Sequence, residues 1–176
     1  MATELIEIVD EKDRPVGSAM LSEALEEGLL HRAVAVLVER KGGRFLLQQR
    51  NKRDLWQPGL WTLSCTGHVR IGETYLEAAR RELKEELGLR SSLKPVSKIL
   101  LAPIKSGSLT EHEWVVLFHS ASNARARIDP VELEQVKDYS LASLERLAGS
   151  KRLTKDARIL LRIFLRSRLR KAKRSR

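Results

Sequence analysis

The stretch Gly67 to Leu89, GHVRIGETYLEAARRELKEELGL, constrains this chain more than any other. Thr74 and Glu77 form a Thr-x-x-Glu capping box and Gly88 supplies a stop, which predicts a helix from about Tyr75 to Leu87. On that helix Leu76, Ala79, Leu83 and Leu87 share one face suited to burial. At about 100° per residue, Glu82, Glu85 and Glu86 fan across an arc of roughly 100° beside it. Three carboxylates this close repel one another. A hard divalent cation such as Mg²⁺, which prefers oxygen ligands, relieves that repulsion.

The same stretch fits the pattern G-x5-E-x7-R-E-U-x-E-E-x-G-U, with U a bulky aliphatic, at every position: Gly67, Glu73, Arg81, Glu82, Leu83, Glu85, Glu86, Gly88 and Leu89. It resembles a Nudix box. A solvated Glu/Lys/Arg helix face, the usual origin of such charge, would need neither the two glycines nor the displaced Glu73. The resemblance implies an α/β/α sandwich around a mixed sheet, a Mg²⁺ or Mn²⁺ cofactor, and hydrolysis of a diphosphate. Glu82, Glu85 and Glu86 are then metal ligands, with Glu82 and Glu85 also candidate catalytic groups. Gly67, Glu73, Arg81 and Gly88 shape the motif, with Arg81 pairing a box glutamate and holding its orientation.

Composition sets the frame around this motif. A chain of 176 residues with 42% hydrophobic side chains suits one domain with a sizeable core. The single cysteine, Cys65, excludes an intrachain disulfide framework, and MATELIEIVDE carries charge where a signal peptide needs an apolar run. Apolar runs such as Val34 to Val38 are too short to cross a bilayer, so a cytoplasmic setting is expected and no membrane partner. The net charge of +10 is unevenly placed: seven basic residues and no acid lie between Arg166 and Arg176, leaving 26 basic against 23 acidic residues elsewhere. Residues 1–165 read as the domain and 166–176 as a basic, fraying tail after an amphipathic helix that begins near Lys155. That tail is the sole route by which nucleic acid is expected to bind, because the aromatic residues are not interleaved with the basic ones as a stacking platform requires.

Alternation or apolar runs predict strands near Glu4 to Val9, His31 to Glu39, Arg44 to Gln49, Trp61 to His68, Val96 to Ile104, Glu113 to Ser120 and Val136 to Tyr139. Short helices are expected at Ser22 to Glu27 and Leu141 to Leu147. Lys41-Gly42-Gly43 reads as a hairpin turn, and Asn51 to Leu60, with Pro58-Gly59, as a loop. In that loop Arg50, Lys52 and Arg53 either grip a distal phosphate or form a solvated basic surface. Trp56 and Trp61 flank the Pro-Gly turn, as pocket walls or as core.

From about Glu4 to Tyr139 the resemblance extends to the branch containing type 1 isopentenyl-diphosphate isomerases, through IVDEKDRPVG, LLHRAVAV, FLLQQR, PGLWTLSCTGHVRIGE and EHEWVVLF. It implies a second metal site in which His31, His68, Glu111 and Glu113 match ligands, while Ala24 stands at the place of a first histidine. Glu113 is also a candidate catalytic group. Isomerisation further needs a cysteine, and its place falls on Thr66, whose hydroxyl is a far weaker acid than a thiol. Strand alternation puts Thr62, Ser64, Thr66 and His68 on one side and Trp61, Leu63 and Cys65 on the other, with Cys65 in a core; a bulge reverses that assignment. The expected activity is metal-dependent hydrolysis of a small-molecule diphosphate, X–O–P–O–P. The alternatives are an isopentenyl-diphosphate isomerase with an altered acid, and a non-catalytic diphosphate- or RNA-binding module. Many Nudix proteins resemble one another in forming homodimers.

Overall fold

Strand β3 (Leu30–Arg40) organises the fold, because its residues alternate between two separate cores. In this computed structural model, residues 4–174 and the side chains of residues 4–170 are described. Around β3 lie β1 (Leu5–Val9), β2 (Pro15–Met20), α1 (Leu21–Glu27), β4 (Arg44–Arg50), β5 (Trp61–Thr62), β6 (Cys65–His68), α2 (Tyr75–Leu87), β7 (Leu93–Ser106), β8 (Leu109–Ala121), β9 (Leu133–Ser140), α3 (Leu141–Leu147) and α4 (Lys155–Arg174). Val34, Val36 and Val38 pack with Ala79, Leu83 and Leu87 of α2. Ala33, Ala35 and Leu37 pack with Leu144 of α3 and with Leu160, Leu161 and Phe164 of α4. The result is the expected α/β/α sandwich around a mixed sheet, with β3 parallel to β8 and antiparallel to β1, β4 and β6. No helix among the described residues is long and apolar enough to cross a membrane.

Helix α2 has the predicted bounds. The Thr74 side chain accepts from Glu77 N, the Glu77 carboxylate accepts from Thr74 N, and Gly88 ends the helix at φ 63°. Three other segments differ from expectation. Strand β2 was not expected, because PVGSAM lacks alternation; it is held by pairing with β1 at the sheet edge. Helix α4 does not fray at Arg166 but continues to Arg174. Arg168 explains part of this: its guanidinium lies 5.3 Å from the Phe45 ring centroid and donates to Glu39 Oε2 at 2.9 Å. The side chains from Lys171 onward, expected to complete a basic tail, lie outside the described residues.

The third difference positions the site. Trp61 to His68 is two strands, not one: β5 pairs with β4, and β6 pairs with β3. Strands β3 and β4 contact each other only from Val38↔Leu46 to Arg40↔Arg44 and then splay apart. Ser64 bridges the fork, its Oγ accepting from Val38 N at 2.7 Å and donating to Leu46 O at 2.5 Å. Crossing the fork resets the alternation. Trp61 and Leu63 belong to the α3/α4-side core and Cys65 to the α2-side core, so the three do not share a face. Thr66 and His68 are opposite Ala35 and Ala33, on the α3/α4 side.

Candidate active site

Glu82 and Glu86 are one helical turn apart, and α2 turns both inward. They are 8% and 5% exposed, deeper than their position on an arc beside the apolar face implies. Only Glu85 keeps an exposed side chain, at the rim, within 3.3 Å of Arg81 and 3.6 Å of Arg70. Arg81 is the hub: it donates to Glu73 at 2.7 and 2.8 Å, to Glu82 Oε1 at 2.6 Å and to the His68 carbonyl at 2.9 Å. This fork ties α2 to the end of β6 and fixes one Glu82 oxygen, leaving the other free. Burial pushes Glu82 up to about 7 against the pull of Arg81. Burial and the neighbouring Glu82 raise Glu86 well above the usual carboxylate range. Both groups are thus held in a medium that resists two unscreened negative charges.

A second cluster is built where β3, β6 and β8 meet. The parallel register sets His31 beside Glu113, and β6 brings His68 alongside. Glu113 Oε1 is 3.6 Å from His31 Nε2 and 3.5 Å from His68 Nε2, and one donor atom from each residue lies within 4.8 Å of the others. His31 Nδ1 donates to the Leu29 carbonyl at 2.8 Å, and its buried Nε2 has no hydrogen-bond partner among the described residues. Burial acts to raise Glu113, but the two imidazoles outweigh it and hold the carboxyl low. Glu111, two residues along β8, is raised by burial and by the Glu113 charge. Ala24 lies fully buried with Ile6 and Ala19, and brings no fourth ligand.

A single cavity of about 700 Å³ connects the two clusters, lined by Glu82 and Glu86, by Thr66 and His68, and by Glu111 and Glu113. Arg50 and Arg53 also line it, but the Arg50 guanidinium is engaged by Asp54 at 2.5 Å and by the Trp56 carbonyl at 2.9 Å. Lys52 is exposed, with its side chain against Gly59. Trp56 is a wall of the cavity, whereas Trp61 packs edge-on against Tyr139. Gln48, Glu132 and Asp156 line the cavity as well and were not expected from the sequence. Asp156 reads as an ordinary acid in the first turn of a helix. Its burial, followed by the charge of Glu113, raises it instead.

The sequence matches the NUDIX domain over residues 29–163. The chain belongs to the Nudix family. Isopentenyl-diphosphate Delta-isomerase 2 of Photorhabdus laumondii is 37% identical over 144 residues, 82% of this chain and 80% of that one. An uncharacterised Nudix hydrolase of Pseudomonas aeruginosa is 34% identical over 134 residues, 76% of this chain and 77% of that one. Among solved structures, a protein from Deinococcus radiodurans shares the fold with a TM-score of 0.74 at 22% identity, covering 90% of this chain and 98% of that one.

Nudix proteins generally use divalent metal, and the donors present here fit one. Glu86 Oε2 is buried and has no hydrogen-bond partner among the described residues, and Glu82 offers a second oxygen one turn away. This all-oxygen pair suits Mg²⁺ or Mn²⁺. The bare Nε2 of His31, with His68 and Glu113, forms a mixed nitrogen and oxygen set of three, one short of the four matched ligands because Glu111 lies outside it.

Proposed function

We propose that this Nudix protein hydrolyses a diphosphate linkage, X–O–P–O–P, with Mg²⁺ or Mn²⁺. One observation carries the reading: Glu82 and Glu86 are buried and face one cavity, and among the described residues their one salt-bridge partner is Arg81, on Glu82 and shared with Glu73, too little counter-charge for two ionised carboxylates. A divalent cation held by Glu82 and Glu86 would supply that charge and would neutralise phosphate oxygens. The chain's own groups do the rest. Arg81 keeps Glu82 turned toward the cavity. Glu113, held ionised by two imidazoles, accepts the proton of the attacking water as its oxygen bonds to phosphorus. The bridging P–O bond breaks, and X-phosphate and phosphate leave past Arg53 at the mouth. Glu85, on the rim, steadies Arg81 and Arg70.

A second reading, isopentenyl-diphosphate isomerisation, is favoured by the His31, His68 and Glu113 cluster and by the name of the Photorhabdus relative. Against it stand Thr66 at the cavity wall and Cys65 sealed in the α2-side core. The test is release of phosphate or monophosphate from nucleoside diphosphates, dinucleotides, sugar nucleotides and prenyl diphosphates with Mg²⁺, run beside proton exchange on isopentenyl diphosphate. Cleavage that is lost in Glu86→Gln supports hydrolysis. Exchange without cleavage of any compound reassigns the protein to the isomerase reading.

A further inference from the structure

Strand β4 carries two adjacent glutamines with opposite fates. Gln49 is satisfied at both ends of its amide: Nε2 donates to the Gly59 carbonyl at 2.8 Å, and Oε1 accepts from Gln135 Nε2 at 2.7 Å. Gln48 is 1% exposed, lines the cavity, and has an Oε1 without a hydrogen-bond partner among the described residues. A buried acceptor left in that state is destabilising, so its place demands a reason.

The pleat of β4 turns Gln48 to the same side as Leu46, which packs in the α2-side core, and sets the amide beside the Glu86 carboxylate. Among the described residues Glu86 Oε2 is the other buried oxygen of this wall without a partner. Reversing the amide does not cure the deficit. With nitrogen toward Glu86, the Gln48 oxygen is bare; with oxygen toward an ionised Glu86, two acceptors face each other. A positive centre between them satisfies both. A carbonyl also suits a hard cation already balanced by two carboxylates, since it adds an oxygen ligand without a third buried negative charge.

We propose that Gln48 supplies a neutral oxygen ligand to the divalent cation held by Glu82 and Glu86. The inference rests on reading that pair as a cation site, and the experiment separates the two.

The probe is Mn²⁺ itself, titrated into the purified full chain with free Mn²⁺ counted by electron paramagnetic resonance, and circular dichroism as the check on folding. The readout is the class of bound Mn²⁺ that Glu86→Gln removes. Gln48→Met, similar in shape but without the carbonyl, is expected to weaken that class by about 10- to 100-fold. Gln48→Glu restores an oxygen at the same reach and is expected to bind at least as tightly as wild type. Wild-type affinity in Gln48→Met overturns the inference, with a bridging water as the occupant. Equal weakening in both variants also overturns it, because the amide then serves only to donate to Glu86. If Gln48→Met does not fold, Gln48→Glu decides, and looser binding than wild type overturns the inference. If Glu86→Gln removes no Mn²⁺ at all, the cation-site reading itself fails.

Discussion

The carboxylate of Glu82 occupies the space in which a side chain at Gly67 would begin: a Cβ there would lie 2.2 Å from Glu82 Cδ and 2.3 Å from Oε1. The first and fourth fixed residues of the helix motif, Gly67 and Glu82, are therefore one device, in which a bare Cα on β6 makes room for a buried acid from α2. Gly67 does not have a positive φ, so alanine is compatible with the backbone, and the nearest clash falls on the Glu82 carboxylate. Gly67→Ala is expected to leave the fold intact and lower kcat by about 100-fold or more, since a 1 Å misplacement of a working group can have that effect. Steady-state kinetics with circular dichroism checks it; near-normal kcat in the folded variant would remove Glu82 from the chemistry.

Glu82 also gives stability a pH dependence of known sign. Its folded pKa of about 7 lies above the ordinary 4.5. Below about pH 4.5 both folded and unfolded states are protonated and the group has no effect. As pH rises from 4.5 to 7 the unfolded state loses the proton first, so the cation-free fold loses stability, by on the order of 3 kcal/mol once the upper pKa is passed. Glu82→Gln removes this contribution. Urea unfolding without metal is expected to show Glu82→Gln gaining on wild type across that window and levelling above it, with Mg²⁺ diminishing the gain. A difference that stays flat with pH would show that Glu82 is not desolvated.

Why part of this was legible in the sequence, and part not, follows from the range of the forces involved. Helix α2 is specified by Thr74, Glu77 and Gly88, all within its own span, and the valines of β3 show their burial directly. The fork at Ser64 is not local: the hydroxyl replaces a ladder between two strands that only tertiary structure brings together, and TLSCTGH carries no bulge signal such as a positive-φ glycine. The depth of Glu82 and Glu86 likewise depends on the cleft beneath α2. Gln48 and Asp156 gain their significance only from what faces them. His31, His68 and Glu113 were found through resemblance, since their separation in sequence conceals the parallel register that joins them.

Residues 166–176 read from the sequence as a fraying tail, but Arg168 is tied into the fold. It stacks on Phe45 and Phe164 and shares Glu39 with His119, whose Nε2 lies 2.9 Å from the same carboxylate oxygen. With the arginine 40% exposed, screening limits the ion pair, and stacking with stem burial remains. Arg168→Ala is expected to destabilise by about 1 kcal/mol and lower Tm by about 2–4 °C. Among the described residues of α4 only Asp156 and Leu160 line the cavity, so kcat on a small diphosphate is expected to stay unchanged. Thermal unfolding and kinetics of the single variant test both statements, and a fall in kcat at unchanged Tm would place Arg168 in the active site.

Cys65 and Thr66 separate the two enzymatic readings. Cys65 is fully buried, and burial, then the charges of Glu86 and Glu82, hold its thiol protonated. It cannot serve as an acid for a substrate on the other side of β6, where Thr66 lines the cavity with Glu113. Wild type is therefore expected to show no isomerisation of isopentenyl diphosphate. Cys65→Ala is expected to lose about 1 kcal/mol through a small core void while diphosphate cleavage continues. Thr66→Cys puts a thiol on the cavity wall, and a trace of isomerisation is expected from it alone, weak because Ala24 withholds a ligand. Proton exchange on isopentenyl diphosphate, followed by NMR in deuterated water, reads all three proteins. Exchange by wild type that disappears in Cys65→Ala would mean that β6 can slip by one residue to bring the thiol into the cavity, and the hydrolase reading would give way to the isomerase.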